Sequence, residues 1–242
     1  MARLYGMVNN APIMTAIASN LQAVNNAIAQ AAHMAQRRAE EVVLLAVSKT
    51  FSAAAVREAC QAGQHVFGES YVQEALGNIG ELRGLPLEWH FIGPIQSNKT
   101  RAIAENFAWV HSVDRLKIAE RLSAQRPQNL LPLNVCLQVN VSGENSKGGV
   151  APDEAAGLAQ AITHLPHLRL RGLMAIPAPA KGVEAQRKPF AQLRELMAQL
   201  NAQGLALDTL SMGMSHDLEA AVLEGATIVR IGTAIFGERG YP

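Results

Sequence analysis

A chain of 242 residues, 49% hydrophobic and only 5% aromatic, is long enough to bury the aliphatic core of one α/β barrel domain. Its 21 basic and 20 acidic residues almost cancel and nowhere form a run of like charge, which argues against a nucleic-acid or anionic-membrane partner. Two cysteines support neither a disulfide framework nor a metal site, and no stretch reaches the roughly 18 apolar residues of a membrane span.

The opening MARLYGMVNNAPIM is interrupted by Asn9, Asn10 and Pro12, so it does not read as a signal peptide. Residues 1–12 are expected to be extended or disordered, ahead of a single domain over 13–242 in the cytoplasm. From Ile13 to about Arg38 the chain is rich in Ala and Gln, with Ile17, Leu21, Val24 and Ile28 at three- and four-residue spacing. This pattern predicts an amphipathic helix.

VVLLAVSK at 42–49 is an apolar run that turns polar at its end, the pattern of a strand buried on both faces. Ser52 can cap a helix that stops at Gly63. Further strands are expected at 65–70, 87–93 and 109–113, the last two followed by helices opened by Ser97 or Asp114. Strand five is placed at 133–141, with a helix starting near Pro152 and Asp153, and strand six at 168–176. A helix around Phe190 to Leu200, strand seven at 207–212, a short helix from about His216 to Glu224 and strand eight at 228–236 complete the count. Cys60 falls in a helix and Cys136 in a strand, as buried inert thiols.

Eight strands alternating with helices imply parallel pairing through right-handed crossovers. They predict a single (β/α)8 TIM-type barrel with an extra N-terminal helix. The alternative is an open doubly wound sheet, which usually carries a glycine-rich loop after its first strand; VSKTFSAA stands there instead.

Reactive groups of such barrels sit at the C-terminal ends of the strands. Lys49 closes the first strand, where partial desolvation favours the neutral amine needed for imine formation; a solvated lysine paired with Glu69 is the plainer reading. The loops after strands seven and eight read SMGMSHD and RIGTAIFG, and barrels commonly bind phosphate with these loops. Gly232 permits close approach, Ser211 and Thr233 offer hydroxyls, and Ser215 either caps the next helix or joins them. Alternation turns Arg230 into the barrel, opposite Val229 and Ile231, where it needs an acceptor. That acceptor is either a carboxylate such as Glu69 or the ring nitrogen of a cofactor, since pyridoxal phosphate enzymes pair a lysine Schiff base with an Asp or Arg at that nitrogen. His90 reads as a core histidine, His216 as solvated, and Lys147 as a loop lysine that could receive cofactor.

AVSKT, FGESYVQEAL, EWHFIGPIQSNK, LRLRGLMAIP, LSMGMSHDLEAA and VRIGTAIFG resemble the pyridoxal phosphate homeostasis (YggS/PROSC) family over nearly the whole chain, from about residue 15 to Gly237. The resemblance implies a barrel like the alanine racemase N-terminal domain, with pyridoxal 5′-phosphate as an aldimine on Lys49. It implies Arg230 at the pyridine nitrogen, and Ser211, Gly232 and Thr233 on the phosphate. Ser70 stands where the family usually has Asn. The implied role is intracellular PLP homeostasis by a non-catalytic monomer that buffers the cofactor or delivers it to apo-enzymes, without nucleic acid or membrane. An amino-acid racemase or lyase is the alternative. It is disfavoured because the chain ends five residues after Gly237, leaving no further domain to supply a second base. A Schiff-base aldolase acting through Lys49 is a third reading.

Overall fold

The computed structural model describes residues 15–144 and 148–238. The extended segment expected at 1–12 and Lys147 both lie outside the described residues. Helix α1 (Ala16–Met34) opens at Thr15, whose hydroxyl accepts the Ala18 N–H at 3.2 Å, satisfying a first-turn donor. Its buried stripe of Leu21, Val24, Ile28 and Ala31 follows the expected helical spacing.

A strict alternation follows: β1 (Val43–Val47), α2 (Ala53–Gln61), β2 (Val66–Glu69), α3 (Val72–Glu81), β3 (Glu88–Phe91), α4 (Thr100–Asn106), β4 (Trp109–Val113), α5 (Leu116–Gln125), β5 (Leu133–Gln138) and α6 (Ala155–Thr163). The chain continues through β6 (Leu168–Met174), α7 (Val183–Ala202), β7 (Thr209–Ser211), α8 (Leu218–Leu223), β8 (Ile228–Ile231) and α9 (Thr233–Phe236). All eight strands pair in parallel, and β8 returns to β1 with Val43 opposite Ile228 and Ala46 opposite Ile231. The closed barrel therefore forms, and the open sheet does not.

The period of two along each strand sorts its residues into two layers. Leu44 and Ala46 of β1 join the core beneath the helices, as do Val229 and Ile231 of β8. Leu45 packs inside the barrel with Trp109, Cys136, Met174 and Ile228. Closure needs one glycine in particular. A Cβ on Gly172 of β6 would lie 1.8 Å from the Thr209 carbonyl oxygen of β7, so no other residue fits without parting those strands.

Several expected boundaries shift. Strand eight ends at Ile231, its last residue paired with β1, and residues 233–236 form the helical turn α9. Helix α7 starts at Val183 and runs through Pro189; burial of Phe190, Leu193 and Leu200 outweighs the lost backbone bond. Ser97 and Asp114 do not cap: α4 begins at Thr100, whose hydroxyl donates to the Ser97 carbonyl at 2.9 Å, and Asp114 pairs with Arg115 at 2.7 Å. Ser52 stands at the start of α2, but its hydroxyl makes no capping bond. Asp217 rather than Ser215 precedes α8, and its carboxylate accepts the Met214 N–H at 2.6 Å. Among the described residues, no helix is long and apolar enough to cross a membrane.

Candidate functional site

The C-terminal ends of the strands surround a cavity of about 240 Å³. Lys49, Ser70, Arg230, Gly232 and Thr233 line it, together with Ser215 and His216 from the loop after β7. The first and last strands supply its chemistry because they are neighbours in the closed sheet.

Lys49 is half-buried, two residues beyond the end of β1. The turn that carries it is tight: the Phe51 N–H donates to the Ser48 carbonyl at 2.9 Å, and Thr50 takes φ +72°. A β-branched residue in the left-handed region is strained. The Thr50 N–H donates to the Glu74 carboxylate of α3, which holds the turn in place. Beneath it Glu69 is fully buried. Its Oε1 accepts the Ser48 hydroxyl at 2.5 Å. Burial pushes the Glu69 carboxyl up to about 7, against the opposing pull of the Ser48 hydroxyl and, more weakly, the Lys49 charge.

Arg230 does point into the barrel, but its protein partners are neither Glu69 nor any other carboxylate. Nη1 donates to the Ser211 carbonyl at 2.6 Å and to the Ser211 hydroxyl at 2.9 Å; Nη2 donates to the Ala175 carbonyl at 2.9 Å. A guanidinium carries five N–H donors, so these contacts leave donors over for a group in the cavity. Burial draws its pKa down to about 10, which still leaves the side chain charged at neutral pH. A Cβ on Gly232 would lie 3.1 Å from the Val47 carbonyl oxygen, so the end of β8 lies close against β1. Thr233 follows it, exposed, as the first residue of α9.

The structure thus brings Lys49, Arg230, Gly232 and Thr233 to one cavity. Ser211 lies deeper: it is fully buried, with its hydroxyl 2.7 Å from His111 and 2.9 Å from Arg230. Ser215 occupies the rim instead. His90 is a satisfied core histidine, bonded to Glu88 at 2.8 Å and His111 at 2.9 Å. His216 is exposed and lines the cavity just ahead of α8, rather than inside that helix. Sequence reasoning missed His111 and Glu74. His111 stands two residues after Trp109 in WVHSV and so shares its inward face, the one signal that could have found it.

Together these groups form an anion-tolerant cavity with a half-buried amine at one wall and a buried cation at another, suited to an anionic carbonyl compound. The class defined by fold and site is a parallel eight-stranded barrel in which a lysine just past the first strand, a last-strand arginine and hydroxyl-bearing rim residues line one cavity. Residues 16–240 match the family described as alanine racemase, N-terminal domain. A pyridoxal phosphate homeostasis protein of Pseudomonas aeruginosa is 65% identical, over 94% of this chain and 98% of that protein. The structure of PipY from Synechococcus elongatus with PLP bound is 39% identical with a TM-score of 0.81, covering 91% of this chain and 100% of that one. Alanine racemase from Corynebacterium glutamicum shares the fold alone, at 19% identity and a TM-score of 0.69, covering 92% of this chain and 61% of that one. The chain belongs to the pyridoxal phosphate homeostasis protein family, built on the alanine racemase N-terminal domain.

Proposed function

We propose that this chain binds pyridoxal 5′-phosphate in the cavity at Lys49 and serves PLP homeostasis as a non-catalytic carrier. In this role a cytoplasmic monomer buffers the cofactor and passes it transiently to apo-enzymes that need it. The observation that carries the reading is the convergence of Lys49, Arg230 and Thr233 on one cavity from opposite ends of the chain. The residues present fit the group: Arg230 has donors to spare, and Gly232 leaves the floor of the site without a side chain. When bound, PLP supplies an aldehyde with which an amine condenses reversibly with loss of water.

Lys49 provides the amine, held in place by the Thr50 turn and set above the buried Glu69. Arg230 would offer its remaining donors to the pyridine nitrogen. Because a guanidinium keeps its own proton, that nitrogen would stay unprotonated and the ring would be a weaker electron sink, which is compatible with holding the cofactor but does not by itself separate a carrier from a racemase. The hydroxyls of Ser215 and Thr233 would take the phosphate beside Gly232, while Ser211 supports Arg230 from below. The name and near-complete coverage of the Pseudomonas aeruginosa relative favour the carrier over a racemase or lyase.

The purified protein loaded with PLP should be yellow, and Lys49→Ala should abolish the visible band. Loading that leaves the parent colourless refutes the binding site, and racemisation of alanine at enzyme-like rates by the pure protein refutes the carrier role.

A further inference from the structure

Below the cavity, side chains from four strands form one continuous line of hydrogen bonds through the barrel. Arg230 Nη1 lies 2.9 Å from the Ser211 hydroxyl, which lies 2.7 Å from His111 Nδ1. His111 Nε2 lies 2.9 Å from His90 Nδ1, and His90 Nε2 lies 2.8 Å from the Glu88 carboxylate. Arg230, Ser211, His111 and His90 are all buried. Glu88, the first residue of β3 and hence at the opposite rim, leaves half of its side chain in solvent.

The carboxylate end, together with the neutrality of the two buried imidazoles, fixes the direction of every link. An ionised carboxylate only accepts and a neutral imidazole has one donor and one acceptor nitrogen, so the hydrogens are assigned from Glu88 inward. Arg230 donates to Ser211, and the Ser211 hydroxyl donates to His111 Nδ1. His111 then donates from Nε2 to His90 Nδ1, and His90 donates from Nε2 to Glu88. Burial keeps both imidazoles neutral, and both therefore carry their hydrogen on Nε2. It holds His111 well below the ordinary imidazole range, helped by the charge it would meet from His90 and Arg230, and it lowers His90 despite the pull of Glu88. With neutral rings, the reverse orientation would turn the His90 Nε2 lone pair towards a carboxylate and leave the Ser211 hydrogen without its His111 acceptor.

We propose that Glu88, His90, His111 and Ser211 are positioning residues for Arg230, so that a carboxylate at the bottom of the barrel governs how firmly the cavity at its top retains PLP. The inference rests on the reading that the cavity takes PLP. Ser211 can accept from Arg230 and also satisfy its own hydrogen only if His111 presents a bare Nδ1. His111 presents it only if His90 accepts from its Nε2, and Glu88 is the acceptor that holds His90 in that tautomer. No member of the line other than Arg230 lines the cavity, so an effect of Glu88 on the cofactor has to travel through the others.

The test compares the parent with Glu88→Ala, Glu88→Gln, Ser211→Ala and the double Glu88→Ala/Ser211→Ala variant. In the apoprotein at pH 7, nitrogen-15 spectra of the imidazoles should show His90 and His111 of the parent as neutral Nε2–H tautomers. After loading with PLP, decay of the visible band on dialysis should be roughly threefold to tenfold faster in Glu88→Ala, the range set by one neutral hydrogen bond. Glu88→Gln keeps an acceptor oxygen and should restore the slow rate. The double variant should release cofactor no faster than Ser211→Ala alone, since two breaks in one line are not additive. An Nδ1–H tautomer or an imidazolium at either histidine overturns the proposal, as do parent-like release by Glu88→Ala and additive effects in the double variant. If the parent takes up no PLP, the functional reading fails instead, and the tautomers of the apoprotein still decide the orientation of the line.

Discussion

Replacing Glu69 by glutamine tests the electrostatics of the site with no cofactor present. The Glu69 carboxyl has an ordinary value of 4.5 and is pushed up to about 7, first by desolvation, with the like charge of Glu74 adding to it. An acid with a raised folded-state pKa keeps its proton in the native state where the unfolded chain has already lost it. Between about pH 4.5 and 7 the native state therefore binds more protons, and stability falls as the pH rises through that window. The full shift corresponds to about 3 kcal/mol, most of it still to come at pH 5 and fully present at pH 8. Glutamine keeps an acceptor for the Ser48 hydroxyl and does not titrate, so any packing offset it introduces is the same at both pH values. Urea unfolding of parent and Glu69→Gln apoprotein at pH 5 and pH 8 should show the stability difference moving in favour of the variant by about 2 to 3 kcal/mol at the higher pH. A difference that is the same at both pH values would refute the claim that Glu69 is a carboxylate raised by burial.

Other substitutions probe the scaffold and the anion site. Gly172→Ala places a methyl group 1.8 Å from the Thr209 carbonyl oxygen and should destabilise the barrel by at least about 3 kcal/mol or prevent folding; a parent-like melting temperature would contradict the packing of β6 on β7. Thr50→Gly removes the left-handed strain at φ +72° and should stabilise the apoprotein by about 1 kcal/mol, with chemical denaturation as the check. Arg230→Gln and Thr233→Ala should each weaken PLP retention on dialysis by about 1.5 to 3 kcal/mol without unfolding the chain, and undiminished retention by both would remove the assigned cofactor site.

The strands were readable because a strand covered on both faces is apolar along its length, as Val43–Val47 is. The inward course of Arg230 was readable too, since its neighbours Val229 and Ile231 belong to the helix-facing layer. Boundaries were harder where tertiary packing overrides a local signal. Pro189 reads as a breaker, yet it lies within α7, and the apolar Ala234, Ile235 and Phe236 read as strand although they form α9. Depth along the barrel axis was not readable at all. Alternation turns Ser211 inward but does not say whether its hydroxyl reaches the rim, and only the closed sheet shows it bonded to His111 while Ser215 lines the cavity. The buried line beyond it joins residues 21 and 100 positions apart, and side-chain pairs on strands distant in sequence leave no local pattern.

The proposed function places the cofactor on one particular amine, that of Lys49. Borohydride reduction of the PLP-loaded protein followed by peptide mass mapping should place a single stable adduct on the peptide containing Lys49. Labelling of a different lysine, or of none, would contradict the account.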